Sequence, residues 1–295
     1  MAVKVKIKRP KTPKLTAQHF RHPGEQPALR QALLTAGGLG LGVLVLLALT
    51  PFRIQLVVAF LAWLVLCFLL YPASTQAKQR AALAKRDLGG PARDELAQHL
   101  AQQAATLNTA APRLLLDPDA RQCYLLGNAI VAPAGIRAHL TDPEVWAALT
   151  IELGHLHAGH ARLLGFVRLA GREGSPILRR ALFPLRVFVM LLARWHDYAQ
   201  MTADRLALLL IRDRGVVGGA VLKQEVWAAE SSDVSAADVA DYLARAGGVK
   251  AEGAEVTAHY RIGEFLRARP WLTERLREIS IYGGSNEYRE AQALV

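Results

Sequence analysis

Residues 147 to 160 read A-A-L-T-I-E-L-G-H-L-H-A-G-H, a run that sets Glu152 and His155 three apart, with His157 and His160 close behind. A carboxylate and an imidazole at this spacing form the second half of the H-E-x-x-H helix. In that motif, histidines at i and i+4 hold zinc and the glutamate between them activates the metal-bound water. The first histidine of the pattern is Ile151 here. Isoleucine has no lone pair, so the run keeps the base position and one ligand position of a hydrolytic site and lacks the other ligand.

Three further segments stand around this run. Gly127-Asn128-Ala129-Ile130-Val131-Ala132-Pro133-Ala134-Gly135-Ile136 precedes it, and Gln200-Met201-Thr202-Ala203-Asp204-Arg205-Leu206-Ala207 follows. Arg269-Pro270-Trp271-Leu272-Thr273-Glu274-Arg275-Leu276 lies nearer the C-terminal end. In order and spacing they resemble the N-A-F-x-x-P-G-G, E-x-x-A-D and H-P-x-x-x-x-R-I segments of the HtpX-like and CAAX-prenyl-protease-like membrane zinc metallopeptidases, zincins of the gluzincin type. The resemblance covers roughly residues 90 to 280.

The resemblance implies a role for each matched position. Glu152 takes the family's general-base position and His155 a zinc-ligand position, while Asp204 matches a carboxylate that orients a ligand from behind. Ile151 and Gln200 stand where the two other protein ligands belong, and Arg269 replaces the histidine of the last segment. A catalytic zinc needs three protein ligands plus a water, and a neutral amide is a poorer donor to a dication than a carboxylate. A full ligand set is worth about 10 kcal/mol or more in structural zinc sites, so a set missing two members holds no metal usefully. The implied protein is a degenerate family member with a vestigial Glu152 and no cofactor.

A relocated metal site is a second reading. His160, His196 and Asp197 all lie near the motif segments and could join His155 around zinc. Residues three or four apart share a helix face, so His157 points away from His155, and His160 is offset by a further turn. A histidine is also common at the His160 position in the family and is not a ligand there. His196 and Asp197 precede Gln200 by four and three residues, so one of them can share its face and approach His155. Otherwise these are polar residues lining an unmetallated cleft. A paired di-iron site is disfavoured, since no second E-x-x-H with partner glutamates is evident.

The elements that carry these residues come after a strongly apolar stretch. Residues 31 to 52 and 54 to 77 are free of charge, each close to the about 20 residues that an apolar helix needs to cross a bilayer. Residues 39 to 49 and 56 to 70 are apolar all round, without the polar stripe of a surface helix. A transmembrane helical hairpin over residues 31–77 follows, with Arg53 at its outer tip. The position of the first run and its immediate repetition disfavour a cleaved signal peptide. Lys4, Lys6, Lys8, Arg9, Lys11, Lys14, Arg21 and Arg30 precede the hairpin, and Lys78, Arg80, Lys85 and Arg86 follow it. Positive flanks stay inside, so both termini and the main domain are expected in the cytoplasm, in the manner of a bacterial inner-membrane protein. Gly38 and Gly42 form a G-x-x-x-G pair that would allow close helix approach within the hairpin or between protomers.

The net charge of +11 owes much to the basic arm over residues 1–30, which suits anionic lipid. The arm lacks interleaved aromatics, so nucleic acid is not an expected partner. Cys67 and Cys123 offer no disulfide framework and suit a reducing compartment.

Residues 78–295 are long enough to bury a core as one unit. Residues 73 to 86 and 92 to 107 read as helices, followed by β-type segments at 113 to 116, 122 to 126 and 130 to 132. Asp142-Pro143-Glu144 opens a helix expected to run to about Leu164. Residues 177 to 193 are apolar, but Arg179, Arg180 and Arg186 favour a buried or membrane-surface helix over a third span. Glycines at 218, 219, 247 and 248 punctuate the later helices.

The expected class is α+β and mainly helical: a transmembrane hairpin plus a zincin-like metallopeptidase domain with a small sheet. The expected function is that of a pseudoprotease without hydrolytic activity, a scaffold, adaptor or regulatory subunit in membrane-protein quality control. It would bind a polypeptide or a membrane-protein partner and could form homo- or hetero-oligomers. The runner-up is an active zinc metallo-endopeptidase using shifted ligands. A third reading is a structural membrane subunit whose cleft is filled by its own side chains.

Overall fold

The computed structural model describes residues 15–70, 77–79, 81–84, 89–170, 183–228 and 272–295. The basic residues 4 to 14, Arg179, Arg180, the Arg269-Pro270-Trp271 start of the last motif segment and the glycines at 247 and 248 lie outside the described residues.

The chain enters through a short turn at Ala17–His19 and then forms α1, Glu25–Ala48. Helix α2, Arg53–Val65, packs against α1 and ends in a wider π-type turn over Leu66–Leu70. Of these, α1 is long and apolar enough to cross a membrane; the apolar stretch in α2, Ile54–Leu69, is shorter. The sequence-expected second span runs on to residue 77, and residues 71–76 lie outside the described residues.

Helix α3, Pro91–Thr106, starts on Gly90, whose φ of 139° demands glycine, and has proline in its first turn, where a missing N–H costs nothing. The sheet comprises β1, Arg113–Asp117, β2, Tyr124–Leu126, and β3, Ala129–Pro133, in the order β1-β3-β2. Strand β1 runs parallel to β3 with Arg113 opposite Ala129, whereas β2 is antiparallel with Tyr124 opposite Val131. Gly127, at a φ of 65°, and Asn128 close the tight β2–β3 hairpin. The central strand β3 is buried along its whole length, as its unbroken apolar sequence requires.

After the single turn α4, Ile136–His139, comes α5, Asp142–His157. Its start is fixed by a capping box: the Glu144 carboxylate accepts from the Thr141 N–H at 2.8 Å. Its end differs from the expected one near Leu164. Gly159 takes a φ of 81°, a left-handed conformation that stops the helix, and His160 N–H closes back on His155 O at 2.9 Å. Helix α6, Ala161–Ala170, then leaves in a new direction, with α7, Phe183–Leu191, after it.

The remaining helices are α8, Ala193–Ile211; α9, Arg214–Ala228; α10, Leu272–Tyr282; and α11, Asn286–Gln292. The closest crossing is α5 on α8. A Cβ on Gly154 would sit 3.1 Å from Cα and O of Ala203, so glycine there lets the two backbones meet. The main core joins α3, the sheet, α5 and α8–α10. A second cluster ties Ala28 and Ala32 of α1 and Cys67 of the π turn to Val167, Leu185, Val189 and Trp195. The described chain is thus mainly helical with a small three-stranded sheet and an N-terminal apolar helix.

Candidate functional site

The α5–α8 crossing brings the motif residues together. Ile151 is 3% exposed and packs within the main core. One helical turn on, His155 is buried, and Gln200 on α8 is the polar neighbour that favours its charged ring. Burial, aided by His160, His196 and Arg275, nevertheless holds His155 well below the usual imidazole range.

The break at Gly159 returns His160 to His155, with 3.1 Å between their Nδ1 atoms. The helical spacing alone predicted an offset; the left-handed glycine removes it. The other His160 nitrogen, Nε2, meets Glu25 Oε1 at 3.0 Å. Since a carboxylate only accepts, His160 Nε2–H donates to Glu25, and one of the two facing Nδ1 atoms donates to the other. His155 Nε2 is buried without a hydrogen-bond partner among the described residues. Glu25 also accepts from Thr202 Oγ1 at 2.5 Å and pairs with Arg21 at 3.2 Å.

Glu25 belongs to a strap the sequence reading did not connect to the site. Phe20 is fully buried and stacks on His157, the Arg21 guanidinium donates to Ala158 O, and the His22 N–H donates to Thr202 Oγ1. The His22 ring lies on Tyr198 with centroids 4.5 Å apart. A lone acidic residue among the basic residues ahead of the apolar run was the available sequence signal.

Glu152 faces the opposite side, toward the free edge of β2. Burial raises its carboxyl to about 7, against the pull of Arg168 and Arg275 and of a hydrogen bond from the Leu125 backbone. Leu125 O accepts from Arg168 at 2.8 Å, and Cys123 N–H donates to Gln224 Oε1 at 2.9 Å. Leu125 and Cys123 alternate with Tyr124 and Leu126, the flanking positions that pair across the tight hairpin, so these groups belong to the open edge of β2. Glu152, Arg168 and Gln224 therefore occupy the groups an added strand would use. Burial also raises the Cys123 thiol strongly, with the Glu152 charge adding to it.

The two Asp204 oxygens are held by Arg275, at 2.8 and 2.6 Å. His196 is buried, with Nε2 3.4 Å from the Gln200 amide nitrogen and Nδ1 without a partner, and burial lowers it to about 4. Asp197 is half-buried on the same helix.

This donor set does not fit a catalytic zinc. Beside His155 the two crossing helices offer Ile151, an alkyl side chain, and Gln200, an amide. No group of three or more His, Cys, Asp or Glu side chains among the described residues is placed to hold a metal ion.

The chain is 31% identical over 130 residues to the plastoglobule-localized metallopeptidase 48, chloroplastic, of Arabidopsis thaliana. The match takes in 42% of this chain and 38% of that protein. No family model matches the chain, and no solved structure matches it. The chain is thus metallopeptidase-like through a distant relationship to part of a longer protein.

Proposed function

We propose that this is a membrane-anchored, catalytically inactive homologue of the HtpX-like metallopeptidases, with a zincin-like domain over residues 78–295 and a two-helix hairpin over residues 31–77. The observation that carries the reading is Ile151, a buried alkyl side chain that stands, by the motif alignment, at a ligand position beside His155. Glu152 then has no metal-bound water to activate and serves as a hydrogen-bonding partner of β2.

The protein acts as a scaffold or regulatory subunit for a polypeptide or a membrane partner, with both termini in the cytoplasm. The capped β2 edge and the strap against His157 and His160 favour partner binding outside the cleft. Strand addition along β2 needs Glu152, Arg168 and Gln224 to move first.

Metal analysis and cleavage assays on the purified chain test this together. The expected protein is metal-free and inert, and Glu152→Ala leaves its biological role largely intact. Stoichiometric zinc whose removal abolishes cleavage would establish the active peptidase with shifted ligands instead. For the anchor, reporter fusions at Lys14 and Lys85 are both expected to report cytoplasm.

A further inference from the structure

We propose that the outward face of α7, with Arg30, Arg186 and Arg194, is a seat for the headgroup boundary of an anionic phospholipid bilayer. The inference rests on the reading of α1 and α2 as membrane spans and adds a third element lying in the membrane surface.

Helix α7 has two unlike faces. Leu185 and Val189 are buried against Ala28 and Ala32, in the first turns of α1, and against Cys67, in the final turn after α2. Small side chains at Ala28 and Ala32 let α7 lie close to α1. Phe68, Phe166 and Phe188 join the same contact, with Phe68 and Phe188 edge-to-face at 5.4 Å. The helix therefore sits where α1 begins and α2 ends, which is the depth at which two spans enter a bilayer. Aromatic side chains gather at that depth in membrane proteins.

The other face of α7 is left uncovered by the described residues. Phe183 is 60% exposed and Met190 47% exposed, seven residues apart and so on one helical stripe. Arg186 is half-buried beside that stripe, Arg194 is exposed at the start of α8, and Arg30 is exposed between Ala28 and Ala32. None of these three arginines has an ion-pair partner among the described residues. A short helix with apolar side chains flanked by guanidinium groups, held at span-entry level, matches an interfacial helix: the apolar stripe enters the acyl boundary and the cations meet phosphates.

The full chain is reconstituted in nanodiscs of phosphatidylcholine, with or without phosphatidylglycerol. An environment-sensitive fluorophore is placed singly at Phe183→Cys, Met190→Cys, Leu41→Cys and Glu290→Cys. Both native cysteines are buried, and the unlabelled-site background comes from the parent chain. Labels at 183 and 190 are expected to be quenched severalfold more than the label at 290 by lipids carrying a nitroxide near the headgroup, and shielded from aqueous iodide. The triple change R30Q, R186Q and R194Q is expected to bring quenching in anionic discs down to the neutral-disc value. If 183 and 190 are as open to iodide as 290 while 41 is quenched by deep nitroxides, the α7 seat is wrong and the span stands. If 41 is also open to iodide, the membrane reading itself falls. Shielding at 183 and 190 from both quenchers would mean that protein covers α7, overturning the seat. Equal quenching in both discs, unchanged by the triple variant, would overturn the anionic part.

Discussion

Arg275 holds Asp204 in a two-point contact, Nε to Oδ2 at 2.8 Å and Nη2 to Oδ1 at 2.6 Å, joining α10 to α8 inside the core. Both residues come from motif segments. Burial, with the Glu278 charge adding to it, pushes the Asp204 carboxyl up, and the Arg275 guanidinium works against that push. A buried pair of this kind contributes little relative to a well-packed apolar replacement, but losing one partner strands the other charge.

Arg275→Met is therefore expected to destabilise the domain by about 3–5 kcal/mol, because Asp204 is left buried and unpaired. Adding Asp204→Leu should recover much of that loss. Urea unfolding of the parent, both single variants and the double variant measures the coupling. Additive losses would show that the pair is not a unit.

The strap yields a second expectation. Glu25→Ala removes the acceptor for His160 and Thr202 and the partner of Arg21 in one step. The loss is about 3 kcal/mol or more where the buried charge network is broken. Tryptic cleavage after Arg21 should become severalfold faster as the strap releases, with the α5–α8 core still protected. Unchanged cleavage would mean that Phe20 and His22 hold the strap without the carboxylate.

How much of this was legible beforehand follows from the range of each interaction. The first apolar run, the β-hairpin at Gly127-Asn128 and the capped start of α5 are local patterns, and each falls close to where the sequence placed it; the second apolar run is shorter over the described residues. The motif segments likewise put His155, Gln200 and Asp204 on the two helices that cross. The return of His160 onto His155 was not legible, because a 3.6-residue period says nothing of a left-handed Gly159. Glu25 was missed for a different reason: it lies 135 residues from His160, and only tertiary packing joins them.

Opposed titrations give the stability a testable pH signature. Glu152 is raised to about 7 from an ordinary 4.5, so its contribution is present below pH 4.5 and lost as pH rises through 7. His196 is lowered to about 4 from 6.5, so its contribution is present above pH 6.5 and lost as pH falls through 4. Between these limits the two slopes oppose each other, and His155 adds to the histidine side. Glu152→Gln should therefore gain stability relative to the parent as pH rises from 5 to 7, by on the order of 3 kcal/mol at most. Urea midpoints at both pH values check the sign. A difference that shrinks or reverses would mean that Glu152 titrates at its ordinary value.

The zinc positions themselves give the sharpest expectation. Ile151→His with Gln200→Glu returns both missing donors to helices already crossed beside His155, whose buried Nε2 has no hydrogen-bond partner among the described residues. Either change alone leaves a two-ligand site in which the ion stays mostly hydrated, whereas three ligands and a water fix a tetrahedral site. The Ile151→His step puts a polar ring into the core, so both variants carrying it should lose stability without metal and regain more of it with zinc in the double variant. Peptidase activity is a weaker expectation, because Glu152 is engaged with the Leu125 backbone and would have to turn toward the metal. Zinc titration with thermal melting of the four chains decides it. A folded double variant that neither binds zinc nor gains stability from it would show that Ile151 and Gln200 do not occupy ligand positions, and the inactive-peptidase reading would lose its main support.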